Sequence, residues 1–134
     1  MKNILLTGLL VISILINAQN ETEPASNEKI FTIVDDMPSF PGGESQLVKF
    51  FKKNLKYPRH EKEAQITGSC FITFVVEKDG HVNNIQILQG VEGGPGCDLE
   101  VMRVANLMPA WIPGKHHGAC VRTQYNLPIK FSLY

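Results

Sequence analysis

The chain has 134 residues, of which 43% are hydrophobic and 19% charged, so it has room for one domain and enough apolar side chains to bury a core. Thirteen basic and 13 acidic residues give a formal net charge of zero. This argues against nucleic acid as the main partner, because duplex binding depends on a dense Lys and Arg surface. No acidic residue follows Glu100, so the C-terminal part is locally positive.

The first 18 residues are typical of an export signal. Lys2 supplies a positive start and Ile4–Ile16 forms a largely apolar run, which together predict a cleaved signal peptide over residues 1–18. The alternative is an uncleaved anchor in the inner membrane, although the run is shorter than the ~20 residues that a bilayer helix needs. Either reading places the protein in the periplasm, and membrane contact is expected only if the segment stays uncleaved.

A polar stretch separates this segment from the domain. Residues 19–29 contain one proline and no apolar period, which predicts a short disordered linker, and the domain is predicted to span residues 30–134. Ile30–Val34 is a β-prone run typical of an edge strand. After a turn-rich stretch, apolar residues recur at helical spacing and predict a helix over Glu44–Asn54.

The clearest local signal is a β-hairpin. Cys70–Val76 is apolar on both faces, which predicts a central strand, and Val82–Leu88 is predicted to return antiparallel to it. Asp79–Gly80 between them is the preferred chemistry of a two-residue turn in which both positions have positive φ. The apolar phase of the second strand shifts, which predicts a bulge at Asn83–Asn84.

A glycine-rich loop and a second helix follow. The loop Gly90–Gly96 lacks the Lys-Ser/Thr pair that a phosphate-binding loop needs. Asp98 is predicted to cap a helix that runs to about Leu107, and Pro109 ends it.

The chain ends in a long alternating segment, Val121–Leu133, which predicts one half-buried strand. Pro128 lacks an N–H donor and therefore places this strand at a sheet edge. The predicted fold is α+β, a three-stranded antiparallel sheet with two helices packed on one face.

The cysteines and histidines indicate no catalytic or metal site. Three cysteines allow at most one internal pair, and a Cys70–Cys97 disulfide is the hypothesis. The group His116, His117 and Cys120 has no second cluster nearby to complete four metal ligands. The protein is therefore predicted to have no cofactor and no enzymatic activity.

Several motifs occur in a characteristic order along residues 40–134. They are Phe40–Glu44, Tyr57–Pro58, Gln65–Gly68, Asp79–Leu88, a helix from Asp98, Trp111–Lys115 and a long last strand. This ordered set resembles the C-terminal domain of the TonB energy transducer, in the stand-alone form carried by Bacteroidetes-like bacteria. The resemblance implies a domain that grips the TonB box, an extended segment of an outer-membrane receptor, with Tyr57, Pro58 and Arg59 beside the bound peptide.

The edge strand itself also indicates peptide binding. Its unpaired main-chain groups are a template for another strand, and its outward residues Arg122, Gln124, Asn126 and Lys130 are predicted to lie near the peptide. The alternatives are self-association, which would give a homodimer or a structural assembly through the same edge, and an edge covered by Ile30–Val34. The expected partner is a TonB-dependent outer-membrane receptor or another cell-envelope protein.

The spacing between the apolar segment and the domain bears on the role in transport. About 20 residues separate the apolar segment from the first of these motifs, Phe40–Glu44, without a Pro-rich spacer. At ~3.5 Å per residue such a linker is too short to span a periplasm. The sequence therefore predicts a peptide-binding domain that does not itself span the periplasm. Its role would be in TonB-dependent transport or accessory to it.

Overall fold

A computed structural model of the protein describes residues 28–133. The predicted signal peptide, residues 1–18, and most of the linker lie outside the described residues. The elements in chain order are α1 (Glu44–Asn54), α2 (Arg59–Glu63), β1 (Gly68–Val76), β2 (Val82–Gln89), α3 (Pro95–Ala105), β3 (Gly114–His116), β4 (Ala119–Val121) and β5 (Thr123–Phe131). Within residues 28–133, none of the helices has the length and hydropathy to cross a bilayer.

The main sheet has three antiparallel strands in the order β2-β1-β5. The predicted α+β fold is confirmed, including the hairpin and the pairing of the last strand with the central one. The bounds of α1 match the prediction, while α2 and the small β3–β4 sheet were not predicted.

The core lies between one face of the sheet and the helices. Alternate residues of β1, among them Ile72 and Phe74, are fully buried on that face. They form one cluster with Leu47 of α1 and Val101 of α3. Trp111 is buried in the same cluster and makes an edge contact with Phe74, with ring centroids 5.2 Å apart. Two helices therefore cover one face, because their apolar stripes have only this surface to pack against.

The turn of the β1–β2 hairpin differs from the prediction. Gly80 donates to the carbonyl of Glu77 over 2.9 Å, so Lys78 and Asp79 occupy the centre of the turn. Only Gly80 has positive φ, at 91°, while Asp79 accepts a hydrogen bond from the N–H of His81. The connection has the three-residue form, in which a left-handed residue follows the turn. The predicted two-residue turn was wrong, because Asp79 caps the turn with its side chain instead.

The predicted bulge in β2 is confirmed. Val75 lies opposite Asn83 and Thr73 opposite Gln86, so two residues of β2 face Phe74 alone. Asn84 sits at φ 52°, a left-handed conformation that Asn tolerates better than most residues. A second irregularity, at Leu88, was not predicted.

Helix α3 begins earlier than predicted and ends earlier, at Ala105. Gly94 is its N-cap and Pro95 its first residue, so Asp98 lies within the first turn. The carboxylate of Asp98 accepts a hydrogen bond from the N–H of Val91 over 2.8 Å. Asp98 therefore stabilises the glycine-rich loop and is not the cap, because proline already favours the first helical position.

The C-terminal segment is not one continuous strand. Strand β4 pairs with β3 in the small sheet, Arg122 interrupts the ladder, and β5 joins the main sheet from Thr123. The sequence could not reveal this break, because polar and less polar residues alternate through Arg122 without interruption. Strand β5 then pairs with β1 over nine residues in regular register.

Candidate functional site

The candidate site is the outer edge of β5, the side that faces away from β1. The N–H of Gln124 donates outward to the carbonyl of Phe31 over 2.8 Å. Main-chain groups alternate in direction along a strand. The main-chain groups of Asn126, Pro128 and Lys130 therefore also point outward.

The N-terminal segment covers only the first part of this edge. Phe31 forms an isolated parallel bridge with Thr123, and its N–H donates to the carbonyl of Arg122 over 2.8 Å. The next bridges of this segment join Asp36 and Ser39 to the loop and small sheet outside β5. The predicted edge strand Ile30–Val34 is thus reduced to one bridge, and the described chain leaves the edge uncovered from Asn126 onward.

The uncovered part of the edge has a distinctive hydrogen-bonding pattern. Asn126 and Lys130 each present an N–H and a carbonyl, and no described residue supplies these groups with a main-chain partner. Pro128 between them presents a carbonyl only. A proline is tolerated here because the missing N–H faces outward and costs the β1–β5 ladder nothing.

A groove runs along the same part of the edge, between β5 and α1. It has a volume of about 370 Å³. Its walls are apolar residues with charged ones at the rim: Glu44, Leu47, Val48, Phe51, Lys52 and Leu55 from α1 and the following residue, and residues 125–130 from β5. The α1 wall was not predicted from the sequence. The available signal was Val48, an apolar residue outside the buried stripe of the helix.

The structure places Tyr57 at the far end of β5. Its ring makes an edge contact with Phe131, with centroids 5.3 Å apart, and its hydroxyl donates to the carbonyl of Ile66. Burial raises the pKa of Tyr57 above its ordinary value. Pro58 is half-buried beside it, while Arg59 is exposed and pairs with Glu63 over 3.0 Å. Tyr57 is therefore largely engaged in packing.

Arg122 does not lie on the exposed face that the alternation predicted. Its side chain is 3% exposed, and its Nε donates to Glu77 Oε1 over 2.7 Å. Its Nη1 also donates to the carbonyl of Glu28 over 2.7 Å. The Arg122 guanidinium holds the pKa of Glu77 below its ordinary value. The expectation of an exposed Arg122 was wrong, because its partner lies 45 residues earlier in the chain.

The other outward residues of β5 occupy the edge as the alternation predicted. Gln124 is half-buried, and its side-chain amide donates to Thr73 Oγ1 over 3.1 Å. Asn126 and Lys130 are exposed. A second recess of about 340 Å³ lies where the N-terminal segment leaves the edge, and it is lined by Thr32, Met37, Gln124, Tyr125 and Asn126.

The cysteines are free thiols, and Cys70 and Cys97 are fully buried. Burial raises the pKa of Cys70 to about 12 and that of Cys97 to about 11. The nearby carboxylate of Asp98 also raises the pKa of the Cys70 thiol. The predicted Cys70–Cys97 disulfide is not formed in this structure. Its rationale assumed a flexible loop at Cys97, whereas this residue lies in the first turn of α3.

The two adjacent histidines stabilise a loop. The N–H of His117 donates to Asp35 Oδ2 over 2.8 Å, and His116 Nδ1 lies 3.6 Å from Asp35 Oδ1. The His117 amide lowers the pKa of Asp35. Cys120 lies opposite Lys115 in the small sheet. Within residues 28–133, no three His, Cys, Asp or Glu side chains come together as a candidate metal site.

Comparison with known proteins identifies the fold family. Residues 53–133 match the family model described as Gram-negative bacterial TonB protein C-terminal. A search of curated proteins finds no match. Domains of this family are non-catalytic modules of the cell envelope that interact with outer-membrane receptors or other envelope proteins. Since the match covers more than half of the 134 residues, the chain belongs to the TonB C-terminal family, as the sequence motifs predicted.

Proposed function

We propose that this domain binds an extended peptide segment by strand addition to the outer edge of β5. The partner would be an outer-membrane receptor with a segment resembling a TonB box, or another envelope protein, in TonB-dependent transport or accessory to it. The observation that carries this proposal is the uncovered edge at Asn126–Lys130. An exposed edge of regular register is a template for another strand.

The site residues would have different roles in this complex. The main chains of Asn126 and Lys130 supply the hydrogen bonds, and the side chains of Gln124, Asn126 and Lys130 flank the peptide. Tyr57 lies at one end of the edge, with Pro58 and Arg59 next to it. Arg122 acts indirectly, because its ion pair with Glu77 holds the start of β5.

The location in the cell is part of the same proposal. We expect residues 1–18 to direct export to the periplasm, where receptor segments are accessible. N-terminal sequencing of the exported protein tests this expectation. If Met1 is found intact, the segment is not cleaved, and the protein is anchored in the membrane by it.

Amide NMR of the protein tests the peptide-binding proposal directly. The probe is a synthetic peptide of about six residues, the usual length of a strand, with valine and threonine alternating. We expect saturable shifts and slowed amide exchange at Asn126 and Lys130. Unchanged spectra at about 1 mM peptide would contradict strand addition, since even weak complexes are populated there.

The competing explanation for an uncovered edge is pairing between two copies of the chain. Strand pairing across such an edge is a common route to association. Sedimentation over a range of protein concentrations separates the two models. Self-association would be favoured if the measured molecular mass rises to twice that of one chain as the protein concentration increases. The amides of Asn126 and Lys130 would then already be protected from hydrogen exchange without peptide.

A further inference from the structure

Helix α1 forms one wall of the groove beside the β5 edge, yet it lies almost wholly outside residues 53–133, the segment that matches the family. We propose that α1 determines which peptides this protein accepts. The groove would take bulky apolar side chains at alternate positions of the bound strand, with a carboxylate at the end near Lys52. This inference rests on the proposed function, because it describes selectivity at the same edge.

Strand geometry directs side chains of the bound peptide into the groove. Residues of β5 with odd numbers, including Leu127 and Ile129, face the helices and line the groove. A strand added to the edge lies about 4.8 Å from β5, and every second side chain would share their face. Those side chains would meet Val48 and the rest of the α1 wall. The volume of about 370 Å³ is within the range of ligand pockets.

The charges of the groove are separated along its length. Phe40, just before α1, contacts Trp111, whose ring lies 5.0 Å from that of Tyr125 near the start of β5. Tyr57, just after α1, contacts Phe131 at the other end. Helix α1 and β5 therefore run in the same general direction. Glu44 lies at the start of the groove, whereas Lys52 and Lys130 lie toward its end.

This charge distribution favours a bound peptide that carries its carboxylate at one particular end. A carboxylate on the peptide would be attracted to the Lys52 ammonium group at the end and repelled by Glu44 at the start. Exposed ion pairs contribute modestly. The apolar contacts are therefore expected to supply most of the selectivity, and the charges to set the placement.

Val48 provides the main test. Its side chain is 47% exposed, so Val48→Asp places a carboxylate in the groove without disturbing the core. Leu99→Asp is the matched control, since Leu99 is 72% exposed on α3 and does not line the groove. We expect Val48→Asp to weaken binding of the valine-alternating peptide on the order of 10-fold, and Leu99→Asp to leave it unchanged.

Lys52 tests the charge placement. The probes are the same peptide with glutamate at one end, at the other end, or at neither. Of the two peptides with a terminal glutamate, we expect one to bind about 2- to 5-fold more tightly than the peptide without glutamate. Lys52→Glu should abolish this increase in affinity. Lys49→Glu is the control, because Lys49 is exposed on α1 and does not line the groove.

The outcomes separate this inference from the proposed function. Amide shifts at Asn126 and Lys130 report strand addition itself. If these shifts persist while Val48→Asp binds as the unaltered protein does, or neither glutamate peptide gains affinity, the role of α1 is overturned and edge binding stands. If the unaltered protein shows no shifts with any peptide, the proposed function fails, and the role of α1 with it.

Discussion

The two edges of the main sheet are built differently. The β2 edge is irregular, with a bulge at Asn84 and a second register shift at Leu88. The β5 edge keeps regular register with β1 from Thr123 to Phe131. Bulges increase local twist and disrupt the row of main-chain groups that another strand would use. Natural sheets protect their edges in this way.

The difference indicates which edge is adapted for pairing. Within β5 only Pro128 interrupts the outward groups, and the N-terminal segment covers the edge only between Arg122 and Gln124. One end of β5 is thus held by Phe31 and by the Arg122–Glu77 ion pair, and the other end is uncovered. Substitutions at the held end, the uncovered end and the bulged edge should therefore have different effects.

The largest effect is expected at the held end. Arg122→Met removes the guanidinium beside Glu77, whose side chain is only 18% exposed and keeps one weaker hydrogen bond, from Asn83. Removing one member of such a pair costs about 3 kcal/mol of unfolding free energy. Urea denaturation measures this loss. The control Arg59→Met removes an arginine whose ion pair is exposed, and a similar loss there would contradict the special role of Arg122.

Asn126→Pro tests the uncovered end. Proline removes an outward N–H that no described residue accepts as a main-chain partner, so we expect the unfolding free energy to fall by less than about 1 kcal/mol. Peptide affinity should fall about 10-fold, because one or two intermolecular hydrogen bonds are lost. Asn126→Ala keeps the N–H and should bind within about 2-fold. Equal losses in both variants would implicate the side chain instead.

The bulged edge depends on the conformation of Asn84. A β-branched residue is poorly accommodated at φ 52°, so Asn84→Val should lower the unfolding free energy by about 1 kcal/mol. Asn84→Gly should be neutral or slightly stabilising, because glycine adopts positive φ without steric cost. Denaturant titration of both variants measures the difference. Equal stabilities would show that the bulge does not depend on this residue.

The smallest expected effect is a pH dependence. The folded-state pKa of Glu77 is lowered by Arg122, so this ion pair contributes its full stability above the ordinary pKa of 4.5. The contribution is lost as the pH falls through the lowered pKa. The difference in unfolding free energy between the unaltered protein and Arg122→Met should therefore become smaller as the pH is lowered from neutral to strongly acidic. Parallel urea titrations measure it, and a constant difference would exclude Glu77 as the group responsible.

Local patterns predicted much of the fold. Helix α1 has a local apolar period and lysines in its last turn, so its bounds could be predicted from sequence. The phase shift in β2 identified the bulge at Asn84 in the same way. The hairpin turn was missed in detail, because Asp-Gly fits two turn types and only the Asp79 side chain distinguishes them.

The candidate site was predictable only in part. Pro128 identified β5 as an edge strand, and the alternation identified Gln124, Asn126 and Lys130 as outward residues. The groove was not predictable, because it requires α1 and β5 to lie side by side. No local period encodes that contact.

The sequence by itself determined the class of fold, the family and the position of the edge strand, because each depends on neighbours along the chain. Tertiary structure decided what the edge can do. Burial of Arg122 depends on Glu77, and the cover at Thr123 depends on Phe31, which lies far from it in the chain. The α1 wall depends on packing across the core. Such contacts join distant segments, and packing of the whole chain selects them.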